Sequence, residues 1–178
     1  TSSAASDVYK RQLLNIFCEL LGKDGGSSKA KGGSMHLFKA DKNFFGGHGI
    51  VGAQVPLGTG IAFANKYLNK KALTFCFFGD GAVNQGQVYE AFNMAALWQL
   101  PIIYIIENNQ YGMGTSVERA SAMTELFRRG ESFGIKGYEI DGMDPLSVHL
   151  CMKKIYEQVL SKNKGPILIE AKTYRYRG

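Results

Sequence analysis

Two unbroken apolar runs constrain this chain most: ALTFCFF at 72–78 and PIIYIIE at 101–107. Neither alternates polar with apolar side chains, so each reads as a strand covered on both faces, the kind found in parallel sheets flanked by helices. Between them, QVYEAFNMAALWQL at 87–100 carries apolar residues at helical spacing. KGYEI (136–140) and GPILIEAKTY (165–174) supply two more strands. The stretch DPLSVHLCMKKIYEQVLSK between them predicts a helix with Asp144 as N-cap and Pro145 in its first position. GAQVPLGTGIAFANKYL (52–68) predicts a helix entered near Pro56, lined with small residues that let another element pack closely. The expected fold class is therefore α/β: an open, mostly parallel sheet with helices on both faces.

A length of 178 residues suffices for one domain with a real core and is too short for two comfortable ones. With 45% hydrophobic and 20% charged residues, the chain reads as globular rather than disordered. No apolar run approaches the ~20 residues of a membrane span, so no membrane association is expected. The net charge of +6 is scattered without a basic block, which points to a solvated surface and not to a nucleic-acid partner. Cys18, Cys76 and Cys151 are odd in number and far apart, giving neither a disulfide framework nor a zinc spacing and favouring a reducing compartment. Residues 1–11 read as a polar leader, unstructured or foreign, and residues 12–178 as one domain cut at both ends. Within it, QLLNIFCELL (12–21) predicts a helix stopped by Gly22, and 22–34 a Gly/Ser/Lys loop.

In open parallel sheets ligands sit beyond the carboxyl ends of the strands. Those ends carry Gly79–Asp80–Gly81, Glu107–Asn108–Asn109 and Asp141–Gly142. GHGIVG at 47–52 fits a dinucleotide fingerprint by its letters, but no strand precedes it and no acid occurs between Gly52 and Asp80 to hold a ribose. GDGAVNQGQ has the better context: a strand, a tight turn, then a helix whose first N–H groups, at Gly81 and Ala82, suit a phosphate. Asp80 repels a phosphate unless a divalent cation lies between them. Mg²⁺ takes such a carboxylate together with phosphate and water oxygens. Asn109, one helix and one strand later, offers a second oxygen at the same sheet edge. Taken singly, Asp80 also reads as an Asx-turn acid and Asn109 as a residue tolerating left-handed backbone. Together, on consecutive strand ends, they favour a metal–diphosphate site.

The pairing of GDG with a later NN resembles the signature of thiamine-diphosphate enzymes. KGGSMHLF, GGHGIVGAQVPLGTGIAFANKY, GDGAVNQGQVYEAFNMAALWQLPIIYIIENNQYGMGTSVERAS, DGMD and GPILIEAKTYRYRG together resemble the pyruvate dehydrogenase alpha-subunit family, within the thiamine-diphosphate-dependent 2-oxo acid dehydrogenases, over about Gln12 to Gly178. The resemblance implies that Asp80, Asn109 and the main-chain carbonyl of Tyr111 hold Mg²⁺, and that Gly79, Gly81 and Ala82 line the diphosphate. Gly49 and Val51 would meet the aminopyrimidine ring through backbone atoms, and Met113 would lie beside the cofactor. It further implies oxidative decarboxylation of pyruvate with transfer of the acetyl group to lipoyl on a partner acyltransferase. A beta subunit would complete an alpha2beta2 heterotetramer and supply the activating glutamate. No catalytic residue is expected on this chain: the family's acyl-transfer histidine falls just past Gly178, and the fragment alone is expected to be inactive. The implied compartment is the bacterial cytoplasm, or the mitochondrial matrix in a eukaryote.

Plainer readings stand beside these. His36 reads as a residue near the substrate channel or, at least as well, as a loop histidine bonded to backbone; His48 as a polar contact or, by default, a spacer; His149 as surface or core and not a ligand; Phe92 and Trp98 as core; and Ser116 as part of a solvated loop. The alternatives in function are the alpha subunit of an acetoin-cleaving thiamine enzyme, a branched-chain 2-oxo acid dehydrogenase, or a non-catalytic assembly module built on helix 52–68 and its neighbour.

Overall fold

The computed structural model describes residues 13–162 and 164–176. The expected leader, 1–11, lies outside the described residues, as do Gln12 and Gly178. The chain separates into two compact units, Thr1–Val51 and Gly52–Gly178.

In the first unit, helix α1 (Leu13–Leu20) ends as anticipated before Gly22, whose φ of +66° favours a glycine. The loop that follows has little regular structure, and Glu19 organises it. Its buried carboxylate accepts the main-chain N–H groups of Ser28, Ala30 and Gly32. Ser28 Oγ in turn donates to the carbonyl of His36 (2.8 Å), and His36 Nδ1 lies 3.0 Å from the carbonyl of Gly47. A carbonyl only accepts, so Nδ1 carries the proton.

The second unit holds the sheet. Helix α2 (Gln54–Tyr67) leads to β1 (Thr74–Gly79), a 3-10 turn (Asp80–Asn84), α3 (Gly86–Leu97) and β2 (Ile102–Asn108). A short antiparallel pair, β3 (Tyr111–Gly112) and β4 (Thr115–Ser116), precedes α4 (Val117–Ala120) and a 3-10 segment, Leu126–Phe133. Strand β5 (Lys136–Asp141), α5 (Pro145–Lys162) and β6 (Ile167–Lys172) complete the order. The main sheet runs β1-β2-β6-β5 with every neighbouring pair parallel. Asp144 caps α5 as the sequence predicts, its Oδ1 accepting the N–H of Leu146 at 3.0 Å.

One sheet face, through Cys76, Phe78, Ile102, Tyr104, Ile106 and Leu168, packs with residues of α2, α3 and the 3-10 segment. On α2, a Cβ added at Gly58 would lie 3.1 Å from Cys76 Cβ, which accounts for the small residues on this helix. The opposite face, through Ile103, Ile105, Ile167 and Ile169, packs on Ile155 and Val159 of α5. The α/β class with helices on both faces is thus the observed one.

Three expectations need correction. Strand β1 is an edge strand covered on one face only: Cys76 and Phe78 are buried, while Phe75 and Phe77 are 43% and 52% exposed. Trp98 is not core; it follows the last residue of α3, past its buried stripe, and lies across Phe63 of α2 with centroids 5.1 Å apart. Ser116 is not a free loop residue, because its Oγ caps α4 by accepting the N–H of Arg119.

Candidate functional site

The carboxyl ends of β1 and β2 come side by side because the register pairs Gly79 with Glu107. Asp80 therefore enters its turn next to Asn109. The turn departs from expectation: no α-helix starts there directly. Asp80–Asn84 forms a 3-10 turn, and the extended Gln85 separates it from α3. The N–H groups of Gly81 and Ala82 thus open a 3-10 turn and not a helix, and no side chain caps that start.

Asp80 is 4% exposed. Burial pushes its carboxyl above the ordinary aspartate range, although the N–H groups of Asp80 itself and of Asn109, and the charge of Arg175, pull the other way; Glu170 adds to the rise. The carboxylate thus takes main-chain N–H groups both of its own residue and of the neighbouring strand end. Asn109 closes an Asx-turn, its Oδ1 accepting the N–H of Tyr111 at 3.1 Å, which leaves a second lone pair on that oxygen.

The β3–β4 hairpin abuts the Asp80 turn: a Cβ added at Gly81 would sit 3.5 Å from Gly112 Cα. Tyr111 and Met113 are exposed, and Gln110 and Met113 hold left-handed backbone at φ +70° and +56°. The carbonyl of Tyr111 accepts from Arg175 Nη1 at 3.2 Å. Beneath the edge, the fully buried Glu170 receives Asn108 Nδ2 (2.6 Å), the Phe127 N–H (2.9 Å) and Lys172 Nζ (2.6 Å). Asn108 Oδ1 holds the N–H of Gln110 at 2.8 Å, so this buried network fixes where β2 ends and Asn109 begins.

Gly79 has φ −79° and ψ 165°, a region any residue adopts, and a Cβ added there meets no heavy atom within 4 Å. The fold does not require glycine at this position, and the space before it suits a ligand close to the backbone. Asp80, Asn109, Tyr111, Met113, Gly79, Gly81 and Ala82 all belong to the second unit; Gly49 and Val51 are exposed residues of the first. Among the described residues no three His, Cys, Asp or Glu side chains form a metal cluster. A cation at this edge would rest on one carboxylate plus amide and carbonyl oxygens, the hard donor set that suits Mg²⁺ when phosphate and water complete it. Sequence reasoning missed Arg175 and Glu170. A lone acid inside the apolar strand ILIEAK was the one available signal for the latter.

A family model described as dehydrogenase E1 component matches residues 6–178. The chain belongs to the dehydrogenase E1 component family. Similar E1 chains include two named pyruvate dehydrogenase E1 component subunit alpha. The one from Rhizobium meliloti is 61% identical over 163 residues, covering 92% of this chain and 47% of the relative. The one from Rickettsia felis is 60% identical, covering 92% and 50%. A mitochondrial E1 alpha subunit of the same name from Schizosaccharomyces pombe is 57% identical over 173 residues, covering 96% and 41%. This E1 chain thus spans about half the length of the curated relatives it matches. No helix among its described residues is long and apolar enough to cross a membrane.

Proposed function

We propose that this chain is part of the alpha subunit of a pyruvate dehydrogenase E1 component and anchors Mg²⁺ and thiamine diphosphate at the carboxyl edge of its sheet. The observation that carries this reading is the junction of β1 and β2. There a buried carboxylate, Asp80, meets Asn109 from the next strand beside a glycine, Gly79, that the fold does not require. A buried aspartate held in a raised-pKa setting is an uncomfortable group without a cation, and a divalent ion relieves it.

Asp80, the Asn109 amide oxygen and the Tyr111 carbonyl would hold the metal. Gly79, Gly81 and Ala82 would receive the diphosphate, the glycines by leaving space and the N–H groups of the 3-10 turn by donating to phosphate oxygens. Met113 would flank the cofactor. When bound, thiamine diphosphate supplies the electron sink for decarboxylating a 2-oxo acid such as pyruvate. The residues of this chain bind and orient it. The proposed partners are a beta subunit carrying the activating carboxylate, in an alpha2beta2 assembly, and a lipoyl-bearing acyltransferase that receives the acetyl group. The names of the E1 relatives support pyruvate as the substrate.

Titration calorimetry on the full-length protein tests the reading. Thiamine diphosphate should bind with Mg²⁺ and lose at least about tenfold in affinity when Asp80→Ala removes the carboxylate or when the metal is chelated. Equal binding with and without Mg²⁺ would sink the assignment.

A further inference from the structure

Arg175 lies just past β6, and its Nη1 donates to two main-chain carbonyls at once, Tyr111 at 3.2 Å and Met113 at 3.0 Å. Its charge also reaches Asp80. A guanidinium is therefore seated beside the oxygens that this edge would offer a divalent cation. We propose that Arg175 sets the specificity of the edge, disfavouring a bare divalent cation and favouring one that arrives with a diphosphate. This inference rests on the metal–diphosphate reading above.

The argument is one of sign. A fixed positive charge beside a divalent ion repels it, and screening by salt is weaker at a partly buried site than on open surface. A diphosphate carries more negative charge than one divalent ion neutralises, so the metal–diphosphate pair arrives as an anion and the same guanidinium attracts it. The planar fork of arginine suits phosphate oxygens as well. Arg175 need not leave the hairpin to act, because a carbonyl oxygen has two lone pairs and that of Tyr111 has room for both a donor and a metal. The Arg175 bonds also tie the exposed hairpin to the chain leaving β6, which keeps the charge in place.

The test compares Mn²⁺ alone, followed by the electron paramagnetic resonance of the free ion, with premixed Mn²⁺–pyrophosphate, followed by calorimetry, on the full-length protein. Arg175→Gln should bind Mn²⁺ alone at least about threefold tighter and Mn²⁺–pyrophosphate at least about threefold more weakly. Arg175→Met, which keeps the aliphatic stem without a donor, should give the same split in case the Gln variant does not fold. Arg175→Lys keeps the charge without the fork: it should hold the affinity for Mn²⁺ alone within about twofold of the parent and weaken Mn²⁺–pyrophosphate less than the neutral variants do. Affinities that move together or not at all in the neutral variants, or a Lys variant that behaves like them, would overturn the proposal. Asp80→Asn separates the two levels. If it leaves Mn²⁺–pyrophosphate binding intact, the site reading itself fails; if it abolishes binding while Arg175→Gln shows no split, only the role of Arg175 fails.

Discussion

Replacing Glu170 by alanine should cost about 3–5 kcal/mol of folding stability. Glu170 sits on β6 with no exposed surface, and its carboxylate receives Asn108 Nδ2, the Phe127 N–H and Lys172 Nζ. Lys172 is 36% exposed, so water takes over its partner at little cost. Asn108 is 1% exposed, and the Phe127 amide is partly buried, so these two donors lose a partner that water cannot readily replace. Each orphaned donor costs about 1–3 kcal/mol, so the two together cost about 2–6 kcal/mol, and about 3–5 is the middle of that span. Glu170→Gln should cost less, about 1–3 kcal/mol, because one carbonyl oxygen remains to accept and the new NH₂ faces donors. Urea unfolding of the full-length protein measures the shift in midpoint at constant slope, and amide hydrogen exchange reads Phe127 directly. A loss below about 1 kcal/mol with the Phe127 amide still protected would refute the reasoning.

Gly79→Ala should leave the melting temperature unchanged or raise stability by about 0.4–1 kcal/mol, since its backbone angles are ordinary and the added carbon meets open space. The same variant should bind Mg²⁺–thiamine diphosphate at least about tenfold more weakly by calorimetry; undiminished affinity would mean that the space does not belong to the ligand. Burial pushes the Cys76 thiol up to about 12. Above the ordinary thiol value of about 8.5 the unfolded chain gives up this proton while the folded one keeps it, so stability falls as pH rises from there toward 12. Cys76 should resist iodoacetamide in the native protein at neutral pH, and Cys76→Ala should flatten the alkaline limb of the stability profile; rapid native alkylation at Cys76, read by peptide mass, would contradict this.

The parallel sheet could be read directly from the sequence at β2, where PIIYII is apolar throughout and its core residues are buried on both faces. The run at β1 looks the same in the text, yet Phe75 and Phe77 are exposed, because local composition does not reveal whether a second cover lies within this chain. Asp80 and Asn109 could be paired in advance because parallel neighbours in register bring their ends to one edge, a consequence of period and length alone. Arg175 and Glu170 were out of reach for the opposite reason. Asn108 and Phe127 lie 62 and 43 residues from Glu170, and the carbonyls that Arg175 holds lie 62 and 64 residues from it; a single charge in a strand or its exit carries no periodicity that announces such contacts. The 3-10 turn after β1 was hidden as well, since GDGAVNQGQ satisfies a helix start and a tighter turn equally.

The strand order β1-β2-β6-β5 has a consequence for biosynthesis. Of these four strands β6 is the last to be made, yet it lies between β2 and β5 and pairs with both. Until it leaves the ribosome, the apolar β2 and the more polar β5 each present an unpaired edge, and that of β2 is the kind of template on which nascent chains cross-pair and clump. These four strands therefore join in one step, and a nascent chain stalled before Ile167 is a natural client for holding chaperones.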